Sequence, residues 1–348
     1  MAAVLALVLS VTAGILGVGS VVRSVDDVRA SVAAAALYRT ALTNSLASDA
    51  NDLAASATVS WNQGRCGFEQ DQEAAQQQMT CTSLAQDDDG APYLIKDRYL
   101  YTVGDGKAES YYKVLDVTAA KDSSLTTSDI RSGYRYVLGK WDRYYSAKAD
   151  ADWLGMGARN LSQEGPMGIL AGVQHIFQAS YFDESLSAHD RASYLKALTA
   201  AHPFRVKGVT QHVRYQGIDD VTRLTVTVTR AAYHAFDQRL ASTLSSSVHY
   251  SADSTSFDDS VFGRTGVLTA QIYLDANTRI VGVATTMPLA APVPEKVYGT
   301  TMSTVRTSFT TLYGQSNELT VPADSKTISD QAWSKALDQG MGSGFGGA

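Results

Sequence analysis

From Val267 to Leu274 the chain alternates strictly, with Leu268, Ala270, Ile272 and Leu274 on one side and Val267, Thr269, Gln271 and Tyr273 on the other. This period of two predicts a strand with one dry face. A turn-forming cluster, Asp275-Ala276-Asn277-Thr278, follows, and then an apolar run from Ile280 to Met287, so the stretch Gly266–Met287 reads as a β-hairpin. Upstream, Val221 to Thr229 alternates again, with Leu224, Val226 and Val228 inward and Arg223, Thr225, Thr227 and Thr229 outward. A third strand is expected there.

The helical patterns lie between these runs. Val25 to Ala50 is rich in Ala and Leu, has Asp26 and Asp27 in its first turn and carries few breakers. Ser187-Ala188-His189-Asp190-Arg191 opens a second helix running through Leu198, and Ala231 to Leu240 forms a third. Thr58-Val59-Ser60-Trp61 predicts a first strand. From Tyr93 to Tyr145 tyrosines crowd the chain, and their enrichment between Gly and Ser breaks predicts several more. Within that region Tyr134 to Trp141 resembles the strand, tight turn and tryptophan of the LppX/LprG-like family. The glycine-rich run Met156 to Ala179 reads either as a flap over a cavity or as plain loop-and-helix packing. Thr300 to Thr311 predicts a further strand or two, Leu319 to Pro322 a short last one, and Ser329 to Leu337 a weak helix before a flexible Gly-rich tail.

The order of these pieces resembles a known family. His202 to Val206, the strand Val221 to Thr229, the helix Ala231 to Leu240, Ile272 to Asp275, Phe309 to Gly314 and the closing Leu319-Thr320-Val321-Pro322 together resemble the LolA and LppX/LprG-like periplasmic lipoprotein carriers. The resemblance covers the C-terminal part of the chain well and the middle loosely. It implies an α+β fold: a curved antiparallel sheet, an incompletely closed half-barrel, with helices covering its concave face. It also implies an apolar ligand, such as a lipid or acyl chain, held between sheet and helices. The candidate lining residues are then Leu224, Val226, Val228, Leu268, Ile272 and Leu274, with Tyr136 and Trp141 from the tyrosine-rich region. Each has an ordinary-core reading as well.

Composition bears on location. Residues Ala2 to Val22 carry no charge, and as a helix they would extend about 32 Å, close to a bilayer's hydrocarbon thickness. That length favours an uncleaved signal-anchor over a cleaved signal peptide with its site near Gly17–Ser20 or Ala33–Ala36. No cysteine near this run would take a lipid, a departure from the lipoproteins of the resembling families. The expected organisation is a transmembrane signal-anchor over residues 1–24, an extracytoplasmic domain over 25–328 with a disulfide-closed insertion near 62–90, and a weak helix with a flexible tail over 329–348. The expected location is the cell membrane, with a single pass and the bulk of the chain in the bacterial envelope. The bilayer, reached through residues 2–22, is then a partner, and an envelope protein is another candidate.

The two cysteines, Cys66 and Cys81, form a disulfide if the chain is exported; otherwise they are separate thiols. The formal charge of −6 and the absence of a Lys/Arg cluster disfavour nucleic acid.

A search for catalytic chemistry yields little. The six histidines, His175, His189, His202, His212, His234 and His249, fall in separate elements with no metal-helix spacing, so no metal or other cofactor is expected. Asp87-Asp88-Asp89-Gly90 lacks the alternating ligands and distal Glu of a calcium loop and reads as a solvated turn. Gly133 to Lys140 fails as a phosphate loop, because five residues separate its glycines and Trp141 stands where Ser or Thr must bind magnesium. Gly104-Asp105-Gly106 lacks the third glycine of a dinucleotide loop, and no Gly-x-Ser-x-Gly elbow exists. The expectation is a binding protein and no enzyme; the rival is a ligand-free envelope interaction or structural module.

Overall fold

The computed structural model describes residues 18–47, 53–61, 64–71, 76–87, 89–104, 107–148, 169, 172–173, 176–177, 187–244, 261–262, 265–295, 300–313, 319–323 and 327–344. Twelve strands make one sheet. They are β1 (Leu53–Trp61), β2 (Gly64–Asp71), β3 (Gln76–Gln86), β4 (Pro92–Gly104), β5 (Lys107–Ala119), β6 (Trp141–Lys148), β7 (Phe204–Tyr215), β8 (Ile218–Thr229), β9 (Val267–Leu274), β10 (Ile280–Glu295), β11 (Thr300–Tyr313) and β12 (Thr327–Ser329). Five described helices accompany them: α1 (Val18–Ala47), α2 (Thr127–Tyr134), α3 (Ala188–Ala201), α4 (Arg230–Ala241) and α5 (Asp330–Gly344).

The spatial order is β12-β6-β5-β4-β3-β2-β1-β11-β10-β9-β8-β7. Every neighbouring pair is antiparallel except β12 on β6. Strands β1 to β6 form one wing and β7 to β11 the other, joined at the centre where β1 lies against β11. The two outer strands, β12 and β7, do not pair with each other, so the curved sheet stays open. Register shifts in the β4–β5, β5–β6, β7–β8, β9–β10 and β10–β11 pairs mark bulges, which bend and twist a sheet.

One face, here the inner face, carries the main core. Alternation turns Ala55, Ala57, Val59 and Trp61 of β1, Leu224, Val226 and Val228 of β8, and Leu268, Ala270, Ile272 and Leu274 of β9 onto it. They pack with α1 (Tyr38, Leu42), α3 (Tyr194, Leu198) and α4 (Tyr233, Phe236, Leu240). The helices start where the sequence caps them. Ser187 accepts from the Asp190 amide at 3.1 Å and Thr229 from the Ala232 amide at 3.2 Å. A second inner cluster joins Ala85, Tyr93, Ile95, Val114 and Val117 to Ile130 and Tyr134 of α2 and Trp333 of α5. There α2 and α5 cross so closely that a methyl group on Gly340 would collide with the Gly133 carbonyl.

On the outer face the β7–β8 hairpin folds back over β9 to β11. Tyr215 stacks on Tyr273 at 3.8 Å and donates from Oη to the Phe309 carbonyl at 2.8 Å. Its ring occupies the space a side chain at Gly282 would need.

Several expectations are corrected. The polar stretch around the cysteines is no loop insertion: Cys66 and Cys81 face each other on β2 and β3, Cα atoms 4.1 Å apart, and form a disulfide. The polar residues Gln77 and Ser83 occupy inward positions on β3, which hid its period of two. Tyr134 to Trp141 is no strand-turn unit, because a capping box between Thr126 and Asp129 starts α2, residues 135–139 are a turn, and β6 begins only at Trp141. Leu319 to Pro322 forms no strand; Val321 packs against Leu100, Tyr111 and Trp141 on the outer face. The C-terminal helix is no weak appendage: it continues to Gly344 and buries Trp333. The glycine-rich Met156–Ala179 run lies largely outside the described residues, as does most of the apolar 2–22 stretch. No described helix is long and apolar enough to cross a membrane.

Candidate functional site

The six aliphatic residues expected to line a cavity come together. Cross-strand pairing sets Leu224 beside Ile272, Val226 beside Ala270 and Val228 beside Leu268, and all are fully buried beneath the helices. Above them lies an aromatic layer. Tyr38 and Phe204 meet edge to face at 5.3 Å, Phe177 and Phe204 lie 6.0 Å apart, and Tyr194 and Phe236 meet at 5.6 Å. Tyr38 also donates from Oη to the Phe177 carbonyl at 3.0 Å, tying α1 to Phe177. Burial pushes the Tyr38 phenol well above its ordinary range, so it stays a neutral donor.

The other two candidates lie elsewhere. Tyr136 is 40% exposed in the turn after α2, under the Arg135 guanidinium at 4.6 Å. Trp141 is buried on the outer face, edge to face with Tyr111 at 6.3 Å. Neither joins the inner face.

Pairing carries one inner-face row across ten strands. It runs Leu224, Ile272, Val283, Phe309, Ala57, Phe68, Met79, Tyr99, Tyr112, Asp142, each opposite the next. Its character changes from aliphatic through aromatic to acidic. In the adjacent row Val59 meets Cys66, Cys66 meets Cys81, and Cys81 meets Asp97. Both rows therefore carry a carboxylate in the β4–β6 region, Asp142 closing the first and Asp97 preceding Val114 in the second.

This polar end has a definite geometry. Asp97 is 1% exposed; its Oδ2 accepts from Tyr112 Oη at 3.4 Å and its Oδ1 has no partner among the described residues. Burial raises its carboxyl to about 7, and the Tyr112 hydroxyl and the amides of Asp97 and Cys81 offset this only in part. Asp142 is also buried, with its Oδ1 unpartnered, and burial followed by the nearby Asp330 of α5 raises it to about 6. Tyr99 and Tyr112 lie 4.8 Å apart, and Trp333 meets Tyr112 edge to face at 5.7 Å. Two further buried side chains on this face lack partners for an oxygen among the described residues: Ser83 Oγ, diagonally across from Asp97, and Gln77 Oε1, opposite Tyr101.

No basic side chain on these strands meets the two aspartates. Arg65, Lys96, Arg98, Lys113 and Arg143 take outward registers. There Arg98 donates to Thr80 at 3.1 Å, Lys113 covers the Trp141 ring at 5.3 Å and Arg143 pairs with Glu109. Sequence reasoning missed this acidic end. The signal was present: in Tyr93, Ile95, Asp97, Tyr99, Tyr101 an acid occupies an inward slot, while Lys96 and Arg98 take outward ones.

Among the described residues no group of three or more His, Cys, Asp or Glu is placed to hold an ion. Asp87 serves as a turn residue, its Oδ1 accepting from the Ala91 amide at 2.6 Å beside Gly90 at φ +81. His212 pairs with Asp220 at 2.5 Å on the exposed β7–β8 hairpin.

No protein-family model matches the chain, and no curated protein matches it. Among solved structures it aligns with a DUF1329 family protein from Desulfovibrio piger at 10% identity, over 81% of this chain and 91% of that one. The TM-score of 0.13 is too low to carry an argument about fold or function.

Proposed function

We propose that the protein binds or carries an apolar ligand, such as an acyl chain, between the concave side of its open sheet and the helices lying there, in the manner of the LolA and LppX/LprG-like carriers. One observation carries the reading: the inner face is apolar along an unbroken cross-strand row from Leu224 to Met79, while helices rather than a second sheet lie against it. Helices can shift relative to an open sheet without breaking ladder hydrogen bonds. Each methylene buried there would contribute about 0.8 kcal/mol. The Cys66–Cys81 disulfide supports an oxidising, extracytoplasmic location. A membrane tether through residues 2–22 would keep such a carrier beside its source of lipid.

The second reading, a ligand-free envelope interaction or structural module, draws on the aromatic layer, where Tyr38, Phe177, Phe204, Tyr194 and Phe236 already fill the space between helices and sheet. Native mass spectrometry of the full chain purified from membranes separates the two. Co-purified lipid released on unfolding supports the carrier; a bare chain from several gentle extractions supports the module.

A further inference from the structure

We propose that the β4–β6 end of the inner face is a subsite for an organic ammonium group, so that the ligand is a cationic amphiphile with its tail along the apolar row from Met79 through Phe68 and Ala57 toward Phe309 and its head between Asp97 and Asp142. This inference rests on the carrier reading above. Two buried carboxylates point to the same inner face, and neither makes an ion pair among the described residues. Keeping both carboxylates ionised without a cation is costly, so the ligand-free pair is pushed toward its neutral form, and the strands send every described basic side chain the other way.

A second, independent observation points to a donor-bearing ligand. Ser83 Oγ, diagonally across from Asp97, is more than nine-tenths buried on this face and has no partner among the described residues, so the site presents acceptor oxygens from β3, β4 and β6. The rings complete it. Tyr112, which bonds Asp97 and lies opposite Asp142, stacks with Tyr99 and Trp333 and so brings to the carboxylates the π surfaces that stabilise ammonium groups. An anionic head would instead meet two aspartates and Asp330, with no compensating charge. The groups facing the site are thus Tyr99, Tyr101 and Tyr112 from the sheet and Asp330 from α5, while Lys335 and Asp338 of that helix are solvent-exposed.

Ligand-free, the site still holds a proton at pH 6, because Asp97 is raised to about 7 and Asp142 to about 6. Ammonium binding would ionise the carboxylates and release protons to solvent.

Titration calorimetry of the full chain with dodecylammonium, dodecanol and laurate, each below its aggregation concentration, tests this. Dodecanol is expected to bind, dodecylammonium roughly tenfold or more tighter, and laurate weakest. In the Asp97→Asn, Asp142→Asn double variant the ammonium preference should vanish while dodecanol binding is retained. For the unaltered chain at pH 6, heats measured in buffers of different ionisation enthalpy should show proton release on binding dodecylammonium and none on binding dodecanol. That readout stands even if the double variant does not fold. Equal affinity for all three probes, tighter laurate, or a preference that survives the double substitution overturns the subsite and leaves the carrier reading intact. Failure of all three to bind overturns both.

Discussion

Asp97 bears on stability whether or not a ligand is present. The residue is 1% exposed and its carboxyl is raised to about 7, against 3.8 for an ordinary aspartate. An unfolded chain gives up this proton near pH 4 and the folded chain only near pH 7. Folding therefore takes up a proton between those values, and stability falls as pH rises through that window, then levels off. Asp142, raised to about 6 by burial and Asp330, adds to the same slope over a narrower range. Asp97→Asn should flatten the acid-to-neutral slope and stabilise the chain at pH 8 by on the order of a few kcal/mol, with little change at pH 4. Thermal melts across pH 4 to 8 check this. A parallel fall in both proteins would show that Asp97 ionises freely. The other single-residue lesson concerns Tyr136, whose place among aromatics suggested an inward wall although it lies in an exposed turn.

Among the elements, the β7–β8 hairpin shows how a strand pair at a sheet edge can be used. Instead of extending straight, it curls over the outer face, with bulges in its ladder and positive φ at His212, Gln216 and Asp220. The fold-back depends on Gly282, whose missing side chain admits the Tyr215 ring. Gly282→Ala should cost about 1–3 kcal/mol through overpacking and loosen the hairpin. Tyr215→Phe, which removes only the hydroxyl bonded to Phe309, should cost about 1 kcal/mol. Denaturant titration compares the two; a neutral Gly282→Ala would mean that the ring has another place to go. The elements differ in how far they can be read from sequence. The β9–β10 hairpin and β8 were legible because Leu224 to Val228 and Leu268 to Leu274 alternate cleanly and the Asp275–Thr278 turn separates the two hairpin strands. Strand β3 was not, since its inward positions include Gln77 and Ser83, and β12, three residues long, offers no period at all. The aliphatic part of the candidate site followed from alternation. Its acidic end did not, because a single aspartate between tyrosines reads as a surface residue until pairing fixes its side.

For the molecule as a whole, the central fact is that β1 pairs with β11. The two wings share this junction, with Thr58 and Ser308 hydroxyls 2.7 Å apart across it, and the main core runs through both. Unfolding should therefore be a single cooperative transition, with tryptophan fluorescence and far-ultraviolet circular dichroism losing signal together. Two separated midpoints would mean that the wings are autonomous.

A growing polypeptide meets this junction in an awkward order. The middle strand of the finished sheet is made first, and its partner arrives some two hundred and fifty residues later. During that interval β1 offers a bare row of amides and carbonyls to whatever strand passes by. Shortening the delay by circular permutation, so that β11 precedes β1, should therefore reduce aggregation on refolding.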